Sequence, residues 1–166
     1  MSTVRSIERA ASDQKIILTI GADATAAQAA QLLGDHRVGV LVVVDDRQQV
    51  VGIVSERDIV AKVVGPCLDP RTAPVSQVMI SQVVCCNMDT PVQQAQRLMA
   101  RHRIRHLPIV EDGQCVGMVS SRDILLHELN QTRKIARRQC KVLNDLERQH
   151  PGITQLQRDA VGRVVV

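Results

Sequence analysis

Two stretches of this chain carry the same polar phrase. "VGIVSERDIV" at Val51–Val60 and "VGMVSSRDIL" at Val116–Leu125 agree at seven of ten positions. The shared residues include Ser55 and Ser120, Arg57 and Arg122, Asp58 and Asp123. Packing explains the recurrence of apolar letters, but not of a hydroxyl, a guanidinium and a carboxylate. Each stretch reads as a strand ending at Ser and a helix beginning at Arg-Asp, with the serine as N-cap. A helix N-terminus presents free N–H groups and positive potential, which suits a phosphate. The serine hydroxyl donates to a phosphate oxygen, and arginine engages it with a planar fork. Aspartate is repelled by phosphate but accepts hydrogen bonds from two vicinal hydroxyls, as on a ribose. The three together fit a ribose-phosphate better than a bare phosphate. A capping serine with an exposed Arg-Asp pair would account for one copy, whereas two copies of all three residues favour a ligand.

The elements that must position these residues repeat as well. "DATAAQAAQLLGDHRVGVLVVVDD" from Asp23 aligns with "DTPVQQAQRLMARHRIRHLPIVED" from Asp89 at an offset of 66, which becomes 65 after the turn. Ala26, Ala29, Ala30 and Leu33, like Val92, Ala95, Gln96 and Met99, fall at i, i+3, i+4, i+7, so each copy opens with an amphipathic helix. Val38–Val44 and Leu107–Val110 read as buried strands, "DDRQQ" and "EDGQ" as tight turns, and Val50–Val54 and Cys115–Val119 as returning strands. Short strands at Ile16–Thr19 and Val83–Cys85 are expected to lead each copy. The final helix runs on from Arg122 with a 4-3 stripe through Leu146, and "ITQLQRDAVGRVVV" reads as a small hairpin or added strand. The expected organisation is an N-terminal segment (1–14), a first motif (15–66), a linker (67–77), a second motif (78–127) and a basic helical tail with a short hairpin (128–166). A repeat occurring only twice suggests an α/β (α+β) pseudo-twofold module in which each copy covers the other, followed by a helical extension.

Each copy resembles a cystathionine-β-synthase (CBS) motif: the apolar helix, the "RHLPIVEDG" strand-turn, then "VGMVSSRDIL". The pair is similar to a Bateman module over about two-thirds of the chain. The resemblance implies a regulatory, non-enzymatic module with up to two adenosine-nucleotide sites in a central cleft. It implies that Asp58 and Asp123 hold ribose hydroxyls and that Ser55 and Ser120 face phosphate. Arg57, Arg122, Arg105 and His106 are the further phosphate candidates. Thr19, Val84 and Cys85 match the leading-strand positions whose backbone takes adenine between aliphatic side chains. Gly39 and Val40 replace Arg105 and His106 in the first copy, so the two sites are expected to be unequal. The ligand expected is AMP, ADP or ATP, with NAD(H) or S-adenosylmethionine as alternatives, and no cofactor is required. The family also implies a homodimer, acting on an effector protein that the sequence does not identify. A structural dimerisation module without nucleotide is the competing reading.

Composition narrows these classes. Phe, Tyr and Trp are absent from the 166 residues, so no site can stack a base on an aromatic ring, which counts against the usual single-strand and RNA platforms. Net charge is +4, and the tail from His127 holds eight Lys+Arg against four Asp+Glu, leaving thirteen of each before it. The tail's basic residues alternate with acidic and apolar ones, which argues for assembly over nucleic acid. The five cysteines show no CxxC spacing, and no apolar run is long enough for a leader or a membrane span. The expectation is a cytoplasmic protein with reduced cysteines and no membrane partner. His102 and His106 are four apart, but they cross from helix into strand and lack a third ligand, so no metal site is expected. No catalytic constellation is present.

Overall fold

The computed structural model describes residues 2–8 and 17–149, so Ile16 and the "ITQLQ" segment lie outside the described residues. The chain divides into two units, Met1–Ile124 and Leu125–Val166. The first unit contains both repeats. In each, an amphipathic helix leads into an antiparallel hairpin. Helix α2 (Ala26–His36) starts at Thr25, whose hydroxyl accepts the Gln28 N–H at 3.2 Å while its own N–H donates to Gln28 Oε1 at 2.9 Å, a closed capping box. Helix α5 (Val92–His102) starts behind Pro91. Both helices end on an arginine in the left-handed region, Arg37 at φ 53° and Arg103 at φ 54°. A non-glycine residue there costs on the order of 1 kcal/mol, and its occurrence at equivalent positions marks the same abrupt exit twice.

Strands β2 (Val40–Val44) and β3 (Val50–Ser55) form the first hairpin, and β4 (His106–Glu111) and β5 (Gln114–Ser120) the second. The exit through Arg37, Val38 and Gly39 delays β2 to Val40, two residues after the expected start. The leading strand β1 is Thr19–Gly21, pairing in parallel with Val42–Val44, so the first sheet runs β1-β2-β3. In the second repeat the expected strand at Val83–Cys85 shrinks to one parallel bridge, Cys86 with Ile109. The cause is Pro108. In the first repeat the Val42 N–H donates to the Leu18 carbonyl at 3.1 Å. Pro108 stands at the position of Val42 and has no N–H to offer Val84.

The helix before each repeat packs on the other repeat. Helix α1 (Val4–Glu8) buries Val4 and Ile7 in the core of the second repeat. Helix α4 (Val75–Val78) buries Val75 and Val78 in the core of the first. The backbone contacts match: Val4 N–H donates to Thr90 O at 2.9 Å, and Val75 N–H to Ala24 O at 2.7 Å. The first-turn amides of α2, which have no helical partner, donate to Ala73 O and Pro70 O at 2.8 and 2.9 Å. The segment between the repeats is therefore part of the first repeat's packing. Gly52 of the repeated phrase gives it room, because a Cβ there would lie 2.4 Å from Met79 Sδ and 3.3 Å from the Ile80 carbonyl. At that point Ile53 and Ile80 exchange both backbone bonds, at 3.0 and 2.8 Å.

The two cores are built from equivalent side chains. Ala29, Leu33, Leu41, Val43, Val54 and Ile59 in one answer to Ala95, Met99, Leu107, Ile109, Val119 and Ile124 in the other, and all are buried. After β3 a short α3 (Glu56–Ile59) widens into a π-helical turn at Val60–Val64. After β5 the chain enters the single long helix α6 (Ser121–Gln149), whose part from Leu125 belongs to the second unit. Leu107 is fully buried at the centre of its cluster. Leu107→Ala is expected to lower unfolding free energy by about 2–5 kcal/mol, measured by urea denaturation.

Candidate functional site

At the ends of β3 and β5 the chain passes from extended to helical within one residue, which leaves first-turn amides needing acceptors. Ser120 and Asp123 supply them reciprocally. The Ser120 N–H donates to Asp123 Oδ2 at 2.8 Å, the Ser120 hydroxyl donates to the same oxygen at 2.5 Å, and the Asp123 N–H donates to Ser120 Oγ at 3.2 Å. Ser55 and Asp58 repeat the arrangement. The Ser55 N–H reaches Asp58 Oδ2 at 3.0 Å, the Ser55 hydroxyl donates to that oxygen, and the Asp58 N–H donates to Ser55 Oγ at 3.3 Å. The next amide in each case takes a carbonyl from the start of the preceding hairpin: Ser121 N–H to Arg105 O at 2.9 Å, and Glu56 N–H to Gly39 O at 3.3 Å.

A cleft of about 490 Å³ opens beside the Ser120–Asp123 pair and draws on both repeats. The first repeat contributes Ile17 and Leu18 ahead of β1, and His36, Arg37, Val38, Gly39 and Val40 from the exit of α2 into β2. The second contributes His106, Met118, Ser120 and Asp123. Val40 and His106 occupy equivalent positions, so the cleft lies where the starts of the two hairpins face each other. Its apolar walls are Ile17, Leu18, Val38, Val40 and Met118. Its polar groups are a guanidinium, two imidazoles, a hydroxyl and a carboxylate. This set offers a guanidinium and two imidazoles to an anion and an anionic acceptor to hydroxyls, along one aliphatic slot.

Of the residues picked from sequence, Ser120, Asp123 and His106 come together in this cleft. Ser55 and Asp58 form the equivalent box at the end of β3. There the Lys62 ammonium lies 3.5 Å from Asp58 Oδ1 and donates to Val78 O and Met79 O at 2.6 and 3.2 Å. Arg57 and Arg122 are exposed on the first turns of their helices, and Arg105 is exposed with its carbonyl used as a cap. Thr19 is exposed in β1, Val84 packs against the second core, and Cys85 is exposed beside it. None of these lines the cleft. His36, Arg37, Ile17, Leu18, Val38 and Met118 line it and were not picked. A signal for two of them exists: the His36-Arg37 dipeptide recurs as His102-Arg103 at the repeat offset.

No activated thiol accompanies this set. Burial pushes the Cys115 thiol up from its ordinary range, and its sulfur contacts the Gly117 carbonyl at 3.2 Å. Among the described residues no three His, Cys, Asp or Glu side chains are placed to hold a metal ion, and no helix is long and apolar enough to cross a membrane.

The sequence profile of the CBS domain matches residues 11–65 and 75–130. The chain is 33% identical over 114 residues to the CBS domain-containing protein YhcV of Bacillus subtilis, covering 69% of this chain and 80% of YhcV. It is also 33% identical over 132 residues to the Meiotically up-regulated gene 70 protein of Schizosaccharomyces pombe, covering 74% of this chain but 18% of that much longer one. The CBS domain pair of protein MJ0100, solved in complex with 5'-methylthioadenosine and S-adenosyl-L-methionine, superposes with a TM-score of 0.68 at 26% identity, over 79% of this chain and 98% of that one. With two matched copies, equivalent cores and reciprocal packing, the chain belongs to the CBS domain family as a tandem pair.

Proposed function

We propose that this CBS pair is a regulatory module that binds an adenosine-containing ligand in the cleft beside Ser120 and Asp123. The observation carrying this reading is the composition of that cleft. Asp123, Ser120 and His106 of the second repeat, with His106 and Ser120 paired across β4 and β5, line one aliphatic slot together with His36 and Arg37 of the first. In the proposed complex the ribose hydroxyls donate to Asp123, the base lies between Ile17, Leu18, Val38 and Met118, and an anionic group faces Arg37 and the two imidazoles. Solved relatives support the class, since the MJ0100 pair holds two adenosyl ligands. Regulation follows from position. A ligand in this cleft touches both repeats and bonds the carboxylate that caps the first turn of α6, so its binding bears on how that helix begins.

The Ser55–Asp58 box, with Arg105 nearby in the repeat pattern, is the position for any second ligand. Lys62 already faces the Asp58 carboxylate, so the two positions are unequal. A purely structural pair is favoured by one specific observation, that both boxes are complete as helix caps without a ligand. Titration calorimetry with AMP, ADP, ATP, NAD(H) and S-adenosylmethionine separates the readings, since the structural pair takes up none of them.

Two substitutions test the assignment. Asp123→Ala removes two bonds to hydroxyls worth about 1.5–3 kcal/mol each, so affinity for the best ligand should fall at least a hundredfold. The lost cap should cost only about 1 kcal/mol of stability, checked by denaturation, and Asp58→Ala should leave binding at the Asp123 cleft unchanged. Arg37→Ala should weaken a phosphorylated ligand about tenfold and flatten its salt dependence, because a charge-assisted bond is lost. It should leave S-adenosylmethionine, which has no phosphate, nearly unaffected. Equal losses for both ligands would show that Arg37 supports the fold of the cleft and does not read charge.

A further inference from the structure

Among the described residues, helix α6 carries an exposed apolar stripe that takes no part in lining the cleft. On α6, Leu125, Leu129, Leu143 and Leu146 are 42–56% exposed and fall in one 4-3 series, with Thr132, Ala136 and Gln139 completing it. Ile135 and Val142, 56% and 58% exposed, flank the same face. In heptad terms Leu129, Ala136 and Leu143 take a, and Leu125, Thr132, Gln139 and Leu146 take d. Lys134, Arg137, Arg138, Lys141 and Arg148 all fall at b, c or f, on the far side from the stripe. Arg133, at e, is the one basic residue of the described helix from Leu125 on that borders the stripe.

We infer that this face pairs with the same face of a second copy, as a parallel, in-register two-stranded coiled coil. Two features fix the partner and its direction. In a parallel pair position g meets e of the next heptad on the partner, which sets Glu128 against Arg133 of the other copy, twice by symmetry. In an antiparallel pair built on the same layers, Arg133 faces Cys140, and that complementarity is lost. The polar d positions agree. Parallel register stacks Gln139 on its own copy, where two amides bond each other, whereas antiparallel register buries it against Ala136 with no partner, at a cost. Thr132 is tolerated in the seam because its hydroxyl already donates to the Glu128 carbonyl at 3.0 Å. This interface uses none of the residues that line the cleft.

The test uses the full chain. Sedimentation equilibrium at micromolar concentration should give a dimer, and Leu129→Glu with Leu143→Glu should weaken self-association at least about a hundredfold by burying charge in the seam. Both leucines are exposed in the single chain, so the circular dichroism of the module should be unchanged. With Cys67, Cys85 and Cys140 changed to serine, Gln139→Cys should oxidise to a covalent dimer. A monomer from the unmodified chain, or a self-association constant unchanged by the double substitution, overturns the proposal. A dimer lost on the double substitution but never trapped through position 139 overturns the parallel register. Binding of the monomer to phosphatidylglycerol vesicles through the same leucines would assign the face to a membrane surface instead.

Discussion

The bond between the Ser120 hydroxyl and the Asp123 carboxylate stands where a strand, a helix and the cleft meet. At the end of β5 the backbone must become helical at once, and the amides exposed by that change need acceptors. Asp123 Oδ2 receives both donors of Ser120, and Ser120 Oγ receives the Asp123 amide. The same ring closes at Ser55 and Asp58. The polar letters of the repeated phrase thus have a folding reason that stands without any ligand. That reason shapes the functional reading. The cap bonds from Ser120 engage Asp123 Oδ2, and a carboxylate has two oxygens and about four acceptor sites, so one side chain can close the helix start and still face the cleft.

The ring is useful only because the repeats bury each other. A helix and a small sheet cannot cover both of their faces, and this chain has no aromatic side chain with which to cover area cheaply. Each repeat therefore takes a helix from the segment before the other: α1 on the second core and α4 on the first. Neither core is complete alone. The hairpin starts, held to face each other by this exchange, leave the cleft between Val40 and His106. Most of its aliphatic wall comes from the first repeat, and Met118 and the acceptor come from the second.

Much of this was legible because it is periodic. The i, i+3, i+4, i+7 apolar positions located α2 and α5, and the equivalent buried pairs, from Ala29 and Ala95 to Ile59 and Ile124, follow the two offsets without exception. What stayed hidden depends on contacts distant in sequence. Helix α1 is five residues long and gains its place from Thr90 and Met88, which no local pattern announces. The stretch 67–77 reads as a linker, yet the Pro70 and Ala73 carbonyls cap α2. For the site, the repeated Ser-x-Arg-Asp drew attention to Arg57 and Arg122, which point to solvent on their helices. The repeated His-Arg was passed over, although it turns each chain out of its helix, and in the first repeat His36 and Arg37 line the cleft.

The unequal halves trace to one imino acid. In the first repeat the Val42 amide ties Leu18 into the sheet, and the residues just ahead of β1 become a fixed aliphatic wall. In the second repeat Pro108 stands where that amide would be, and the equivalent segment is tethered to the sheet only around Cys86. A wall on Val83 and Val84 therefore rests on fewer backbone bonds than one on Ile17 and Leu18. Lys62 adds to the difference by engaging Asp58 and the carbonyls that end α4. The proline belongs to the "LPIV" phrase that makes the second copy read most clearly as a CBS motif. Its structural effect is to weaken that copy's own leading strand. The well-walled cleft consequently pairs the acceptors of the second repeat with the leading segment of the first.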